Sequence, residues 1–296
     1  GDVYKRQVYR AGGCNTEKGG GNVMKRVKQF CLEAVMLLLS LVVLFPVLYA
    51  VVSSFKTRSE IGEPLSLPHS LYLGNYENVF INLNVLGMLK NSFIVVAASM
   101  ILIVLIGSLA AYPLGRKSKG IYMVLYLFFL SGLMIPFSAG IVPLFQLIKG
   151  LRLMNSLGAL ILVSTGSLMP ITIMVFSAYV KSIPRELEEA AIMDGCGRIS
   201  VFMRIILPLL KPAVITIVII NTLPVWNDFF NPLLFISSES KRTLPIAIYS
   251  FVKQNGAADY GSIFAVSVIS IIFPILLFLC FQEQFYKGMA SGAVKG

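Results

Sequence analysis

The sequence predicts an all-α polytopic membrane protein with about six transmembrane helices. Of its residues, 56% are hydrophobic and only 13% are charged, whereas soluble domains carry about 25% charged residues. The apolar residues are grouped in long runs, and about 20 such residues in a helix cross the hydrocarbon layer of a bilayer. The alternating segments of about ten residues that a lipid-facing β-barrel requires are absent.

Six apolar segments are long enough to cross a bilayer as helices. They cover about residues 30–52, 91–114, 121–146, 157–180, 209–230 and 261–282. Backbone groups in lipid must form hydrogen bonds within their own segment, so helices are expected rather than isolated strands.

Lysine and arginine residues in the short loops indicate the orientation. The tight turn between the second and third segments contains Arg116, Lys117 and Lys119, and the loop at about 181–208 adds Lys181, Arg185, Arg198 and Arg204. Because basic loops stay in the cytoplasm, we predict a multi-pass protein of a bacterial-type plasma membrane with both termini cytoplasmic. The net charge of +11 is interpreted as topology signals and contact with anionic lipid, not as a nucleic-acid site.

The chain is expected to divide into four parts. Residues 1–23 are polar and rich in glycine, and we predict a non-native or disordered leader there. The first span and an outer loop follow at 24–90, the main helical domain at 91–283, and a cytoplasmic tail at 284–296. A cleavable signal peptide near the N-terminus is the alternative, but the apolar stretch is longer than the usual core of a signal peptide.

Motifs for catalysis are missing from the sequence. No G-x-x-x-x-G-K-[S/T] pattern is present, so the chain has no P-loop for ATP. The single histidine, His69, cannot form a histidine cluster, and the four cysteines make no C-x-x-C pair. We therefore expect no catalytic residue, no metal and no cofactor in this chain, and any energy from ATP would come from another subunit.

The loop at about 181–208 contains the most specific local pattern. Pro184 suits the first turn of a helix, and three glutamates follow where negative charge complements the helix dipole. Gly195 suits the left-handed residue that ends a helix. The predicted helix at 184–194 is about 16 Å long at 1.5 Å per residue, which is too short to cross a bilayer.

One face of this short helix is expected to contact a partner. Leu187, Ala190, Ala191 and Asp194 share that face, and the two alanines allow another protein to pack closely. The alternative is an amphipathic helix that lies on the membrane. Alanines bury little apolar area and glutamates are repelled by anionic lipid, which favours a protein groove.

The same loop matches a known signature, E-A-A-x3-G-x9-I-x-L-P, at every fixed position. This pattern resembles the permeases of ABC importers, whose signature helix docks in a cleft of a cytoplasmic ATPase. The resemblance implies a type I ABC importer permease fold and a non-catalytic subunit. It also implies an ATPase-coupling role for Glu188, Glu189, Ala190, Ala191, Asp194, Gly195, Ile205, Leu207 and Pro208.

Further motifs resemble the carbohydrate-uptake group, and most of all its maltose-type (MalG-like) subunit, over about residues 24–296. They are Asn91-Ser92, Ala110-Ala111-Tyr112 with Arg116, Ile135-Pro136, Asn155-Ser156-Leu157-Gly158, Trp226-Asn227-Asp228-Phe229, Pro232-Leu233 and Gly292-Ala-Val-Lys-Gly296. The chain departs from the pattern at Asn155-Ser156, where the family more often has Asn-Thr, and at Cys196-Gly197.

This resemblance implies the function and the partners. We expect import of sugars or oligosaccharides, with glycerol-3-phosphate or another small solute as the alternative substrate. The implied partners are a second homologous permease, two copies of a cytoplasmic ABC ATPase, an extracytoplasmic solute-binding protein and membrane lipid. A stand-alone secondary transporter is disfavoured, because such carriers place acids in the middle of their spans.

Five residues are candidates for the translocation pathway or an outer gate: Pro136, Ser138, Trp226, Asn227 and Asp228. An acid within a span usually faces the protein interior or water, and a proline in the third segment frees carbonyl groups that need partners. The alternatives are an interfacial tryptophan with a solvated acid and a plain helix kink.

Overall fold

A computed structural model describes residues 17–117, 119–253 and 259–293, with side chains described within 27–117, 119–251 and 259–283. All regular secondary structure in these ranges is helical, which confirms the all-α prediction. The chain divides into two compact units, Gly1–Ser53 and Ser54–Gly296.

The first unit contains helix α1 (Glu17–Ser53). Its apolar part, Val27–Ser53, is long enough to cross a membrane and includes the predicted first span. The helix begins at Glu17, inside the predicted leader, because helix growth from a stable apolar segment is cooperative and extends into weaker helix formers. The part of the leader prediction at residues 1–16 lies outside the described residues.

Within the described residues, the second unit contains the remaining α-helices and two short 3₁₀-helices, Glu60–Gly62 and Glu239–Lys241. The α-helices are α2 (Gly74–Asn82), α3 (Val85–Arg116), α4 (Ile121–Ser131), α5 (Phe137–Gly150), α6 (Leu157–Ser182), α7 (Glu186–Met193), α8 (Arg198–Leu209), α9 (Lys211–Trp226), α10 (Phe230–Phe235), α11 (Leu244–Lys253) and α12 (Tyr260–Ala293). In the described residues, α1, α3, α6 and α12 are each long and apolar enough to cross a membrane. The pair α8–α9, bent by 67°, adds a fifth candidate.

The predicted single helix at 121–146 is wrong. Helix α4 ends at Ser131, and α5 begins only at Phe137 after an extended Pro136 with φ −61° and ψ 134°. A proline restricts the residue before it to extended conformations, which separates the two helices despite continuous hydropathy. Neither helix reaches about 20 residues, the length of a single crossing.

The boundaries of the last two predicted spans also differ. The segment predicted at 209–230 is interrupted at Leu210, where α8 meets α9. Helix α12 continues to Ala293, so most of the predicted tail at 284–296 is helical, and residues 294–296 lie outside the described part of the chain.

Helices α3 and α6 run side by side in the same direction and make the most extensive helix contact of the described residues. A Cβ atom on Gly107 would lie 2.5 Å from the Thr172 Cγ2 atom, and one on Gly115 would lie 2.8 Å from the Val180 Cβ atom. Small residues allow helices in membranes to approach this closely. The C-terminal ends of α3 and α6 are therefore neighbours, next to α7.

The opposite end of this helix pair is covered by the loop that follows α10. The Asn91 Nδ2 atom donates hydrogen bonds of 2.9 Å to the carbonyls of Ser240 and Arg242, and the Asn155 Nδ2 atom donates to the Ser238 Oγ atom at 2.7 Å. Because α9 runs from the α7 end toward this loop, the α9–α10 turn and the signature loop lie at opposite ends of the second unit.

Candidate functional site

The signature loop forms a short helix that ends at a left-handed glycine. Helix α7 covers Glu186–Met193, slightly less than the predicted 184–194, and Gly195 has φ +86°. The Gly195 amide donates to the Ile192 carbonyl at 3.0 Å, and the Cys196 amide donates to the Ala191 carbonyl at 2.9 Å. These two bonds define a Schellman motif, so the predicted left-handed termination at Gly195 is confirmed.

The two signature alanines point in different directions. Ala191 is buried in the core of its own chain, whereas Ala190 is exposed. Leu187 is 45% exposed and Met193 is 87% exposed. The predicted single face that joined Leu187, Ala190, Ala191 and Asp194 is therefore wrong for Ala191, because neighbouring positions on a helix are turned by about 100°. Ala190 and its exposed neighbours remain available to a partner.

Glu188 also points toward its own chain. Its carboxylate forms an ion pair with Arg116 in the last turn of α3, and their side chains are 13% and 12% exposed. The Tyr112 hydroxyl donates to the Glu188 Oε2 atom at 2.8 Å. The Arg116 Nη1 atom donates to the Ile183 carbonyl at 2.8 Å, and the Arg185 Nη2 atom donates to the Arg116 carbonyl at 2.9 Å. These contacts fasten α7 to the end of α3.

The second half of the signature lies in α8. Ile205 and Leu207 pack partly buried against the core, and Pro208 is exposed. A π-helical turn, Phe202–Ile206, shifts the helix register here, and such turns are frequent at functional sites. These residues lie where the chain turns from the loop into α9. The π-helical turn itself could not be predicted from the spacing of residues in the sequence.

A cavity of about 280 Å³ lies between α5, α6 and the α9–α10 turn. Its polar lining comes from Ser164, Ser167, Asp228 and Asn231. The Asp228 carboxylate accepts hydrogen bonds from the Asn231 backbone amide at 3.1 Å and from its Nδ2 atom at 2.8 Å. Asp228 thus borders the cavity and also caps the first turn of α10.

The predicted pathway residues Pro136 and Ser138 are not among the residues that line this cavity, but their neighbour Phe137 is. Phe137 contributes to the cavity wall, and its ring packs edge-to-face on Phe230 with centroids 5.7 Å apart. Pro136 and Ser138 flank Phe137 in the chain, and Ser138 is exposed. Ser164 and Ser167 are not among the pathway residues predicted from the sequence, because isolated serines in an apolar helix give no distinctive pattern.

Trp226 lies in an aromatic cluster, away from the cavity. Its ring centroid is 4.1 Å from that of Phe273 and 5.2 Å from that of Phe93, and its Nε1 atom donates to the Ser270 carbonyl at 3.2 Å. Only 1% of Trp226 is exposed, which favours a packing role. Asn227 is exposed and borders a separate cavity of about 360 Å³.

In the ranges 17–117, 119–253 and 259–293, no group of three or more His, Cys, Asp and Glu residues could hold a metal ion. The second unit has apolar helices long enough to cross a membrane, the short helix α7 at one end and a partly polar cavity toward the other, an arrangement typical of a membrane transport component. The chain belongs to the family of binding-protein-dependent transport system inner membrane components, which matches residues 103–291. The matched region contains both α7 and the cavity.

Individual relatives agree with this assignment. The chain is 38% identical over 256 residues to a probable ABC transporter permease protein, YurM, of Bacillus subtilis, covering 85% of this chain and 84% of the relative. It is 31% identical over 245 residues to the melibiose/raffinose/stachyose import permease protein MelC of the same organism, covering 82% and 88%. The predicted resemblance is confirmed.

A solved structure shows the same fold. It is the crystal structure of a bacterial ABC transporter involved in the import of the acidic polysaccharide alginate, and one of its chains superposes with a TM-score of 0.77 at 21% identity. The match covers 88% of this chain and 97% of that chain. The predicted fold of an ABC importer permease is confirmed.

Proposed function

We propose that this chain is a permease subunit of an ATP-driven importer of sugars or oligosaccharides and forms half of the translocation pathway. The observation that carries the proposal is α7, a short helix held by its own chain on one side and exposed on the other. Family membership supports the transport role. The substrate class is supported by MelC, an import permease for melibiose, raffinose and stachyose.

The exposed side of α7 is the proposed docking surface for a cytoplasmic ABC ATPase. Met193 is 87% exposed and Leu187 is 45% exposed, and Glu189 and Ala190 are exposed with them. Exposed apolar side chains beside a small residue fit a groove in a protein partner. That partner hydrolyses ATP, and this chain is non-catalytic. Two copies of the ATPase would bind, one to each permease of the pair.

The cavity at the α9–α10 turn is proposed to form part of the translocation pathway for the sugar. Serine hydroxyls and a carboxylate can exchange hydrogen bonds with sugar hydroxyls, and the apolar wall formed by Phe137 and Phe230 suits a ring face. Polar and ionisable groups at membrane depth usually face the bundle interior or water. A second, homologous permease would close the other half of the pathway around the sugar.

The two ends of the second unit have different proposed partners. The α7 end faces the cytoplasm with both termini, in agreement with the basic turn at Arg116, Lys117 and Lys119. The opposite end faces an extracytoplasmic solute-binding protein, on which the family depends by its description. The proposed location is a bacterial-type plasma membrane.

Reconstitution tests this function. The chain is placed in proteoliposomes with its sister permease and ATPase, and labelled sugars and glycerol 3-phosphate are offered on the binding protein. We expect sugar uptake that requires both ATP and the binding protein. Uptake without an ATPase, or driven by a proton gradient, would show a stand-alone secondary transporter. Uptake of glycerol 3-phosphate without uptake of sugars would show that the substrate class is the alternative one.

A further inference from the structure

Two neighbouring glutamates of α7 have opposite surroundings. Glu189 is exposed, whereas the Glu188 side chain is only 13% exposed and faces Arg116. The family resemblance implies ATPase coupling for both residues, but a carboxylate that is 13% exposed and bound to two donors of its own chain offers little surface to a partner. The two residues therefore have separate roles.

The Glu188 carboxylate is held by more than one donor. One of its oxygens accepts from the Arg116 guanidinium and the other accepts from the Tyr112 hydroxyl. Charge-assisted contacts of this kind are stronger and more directional than neutral ones. The rigid guanidinium also reaches the Ile183 carbonyl, an arrangement that the single ammonium group of lysine does not reproduce.

This ion pair lies at the start of a continuous route through the helices. Arg116 ends α3, and α3 packs along α6 through the close contacts of Gly107 and Gly115. Helix α6 in turn carries Ser164 and Ser167 of the polar cavity. Rigid elements in contact of this kind can transmit a displacement from one end of a protein to the other.

We propose that Arg116 and Glu188 are positioning residues that lock α7 to α3, so that movement of the ATPase passes into the α3–α6 pair. In this arrangement Glu188 is not part of the ATPase contact, and Glu189 and Ala190 are. The inference rests on the proposed coupling function. It adds that the side of α7 with Glu188 transmits the movement to α3.

The experiment compares Glu188→Gln with Glu189→Gln in the reconstituted complex. Three quantities are measured: the affinity for the ATPase, the rate of ATP hydrolysis and the amount of sugar transported per ATP. We expect Glu188→Gln to leave ATPase affinity unchanged and to lower sugar transported per ATP about threefold to thirtyfold, the range of mutations along coupling routes. Glu189→Gln is expected to weaken ATPase affinity instead.

The double variant Arg116→Gln with Glu188→Gln tests whether the residues act through each other. We expect it to lose no more coupling than either single variant, because residues of one network are not additive. Additive losses would overturn the proposal, as would a Glu188→Gln variant that loses ATPase affinity at an unchanged amount of sugar transported per ATP.

If Glu188→Gln does not fold, the variant Tyr112→Phe takes its place. It removes one hydrogen bond to Glu188 and must also lower the amount of sugar transported per ATP. A wild-type complex that assembles without ATP-dependent uptake would refute the proposed function itself.

Discussion

The amide of Cys196 donates a hydrogen bond of 2.9 Å to the carbonyl of Ala191, and Gly195 between them has φ +86°. An L-residue in this left-handed region costs roughly 1–2 kcal/mol, so glycine is the residue that ends α7 here without strain. No atom lies within 4 Å of the position that a Gly195 Cβ would take. The requirement for glycine therefore comes from the backbone conformation and not from crowding.

Replacing Gly195 with alanine is expected to weaken α7 termination by about 1–2 kcal/mol and to lower the affinity for the ATPase. Gly195→Asp adds a charge to the same strain and is expected to abolish association and uptake while membrane insertion is retained. Co-purification of the ATPase measures both effects. Gly197→Ala is the matched control, since Gly197 also has open space but an ordinary φ of −70°. Equal effects at the two glycines would contradict the account.

The contact between Gly107 and Thr172 is expected to tolerate no added methyl group. A Cβ there would lie 2.5 Å from the Thr172 Cγ2 atom, and overpacking of this kind costs about 1–3 kcal/mol. Gly107→Ala should lower the stability measured by thermal unfolding in detergent, and Thr172→Ser in the same chain should restore it by removing that methyl group. Gly166→Ala, at a helical glycine with open space, should not destabilise. A neutral Gly107→Ala would refute the packing of α3 on α6.

Cysteine labelling tests the proposed pathway. In a chain whose native cysteines are replaced by serine, Ser138→Cys and Ser167→Cys are expected to react with aqueous thiol reagents, and transported sugar should slow the reaction at Ser167→Cys. Ser99→Cys is the control, because Ser99 is fully buried. Protection of Ser138→Cys and Ser167→Cys in every transport state would exclude this cavity from the pathway.

The segment between Thr57 and His69 is expected to open at low pH. Hydrogen bonds to the Glu60 carboxylate from the backbone amides of Thr57 and His69 and from the Thr57 hydroxyl lower the pKa of Glu60 to about 2. A folded-state pKa below the unfolded value of about 4.3 stabilises the loop above that value, and the stabilisation is lost as the pH falls through about 2.

Hydrogen exchange at the His69 amide measures this effect. Protection should fall between about pH 4 and pH 2, and Glu60→Gln should remove the pH dependence. Glu63→Gln serves as the control, because the Glu63 backbone carbonyl, and not its side chain, accepts from Lys56. Protection that stays constant through this pH range in the wild type would show that the Glu60 bonds do not hold the loop.

Local patterns in the sequence were enough to predict the existence of α7 and its termination at Gly195. The inward direction of Glu188 was not predictable, because its partner Arg116 is 72 residues away in the chain. The same limit applies to Trp226, whose partners Phe93 and Phe273 come from α3 and α12. Hydropathy also could not separate α4 from α5, since the residues around Pro136 are as apolar as the helices themselves.

The contact between α7 and an ATPase is the central claim, and site-specific photo-crosslinking tests it most directly. A photoreactive residue is incorporated at Met193 in one chain and at Leu65 in another, since both side chains are highly exposed, at 87% and 83%. The account predicts a crosslink to the ATPase from position 193 and none from position 65. A crosslink from position 193 to lipid alone in the assembled complex would contradict it.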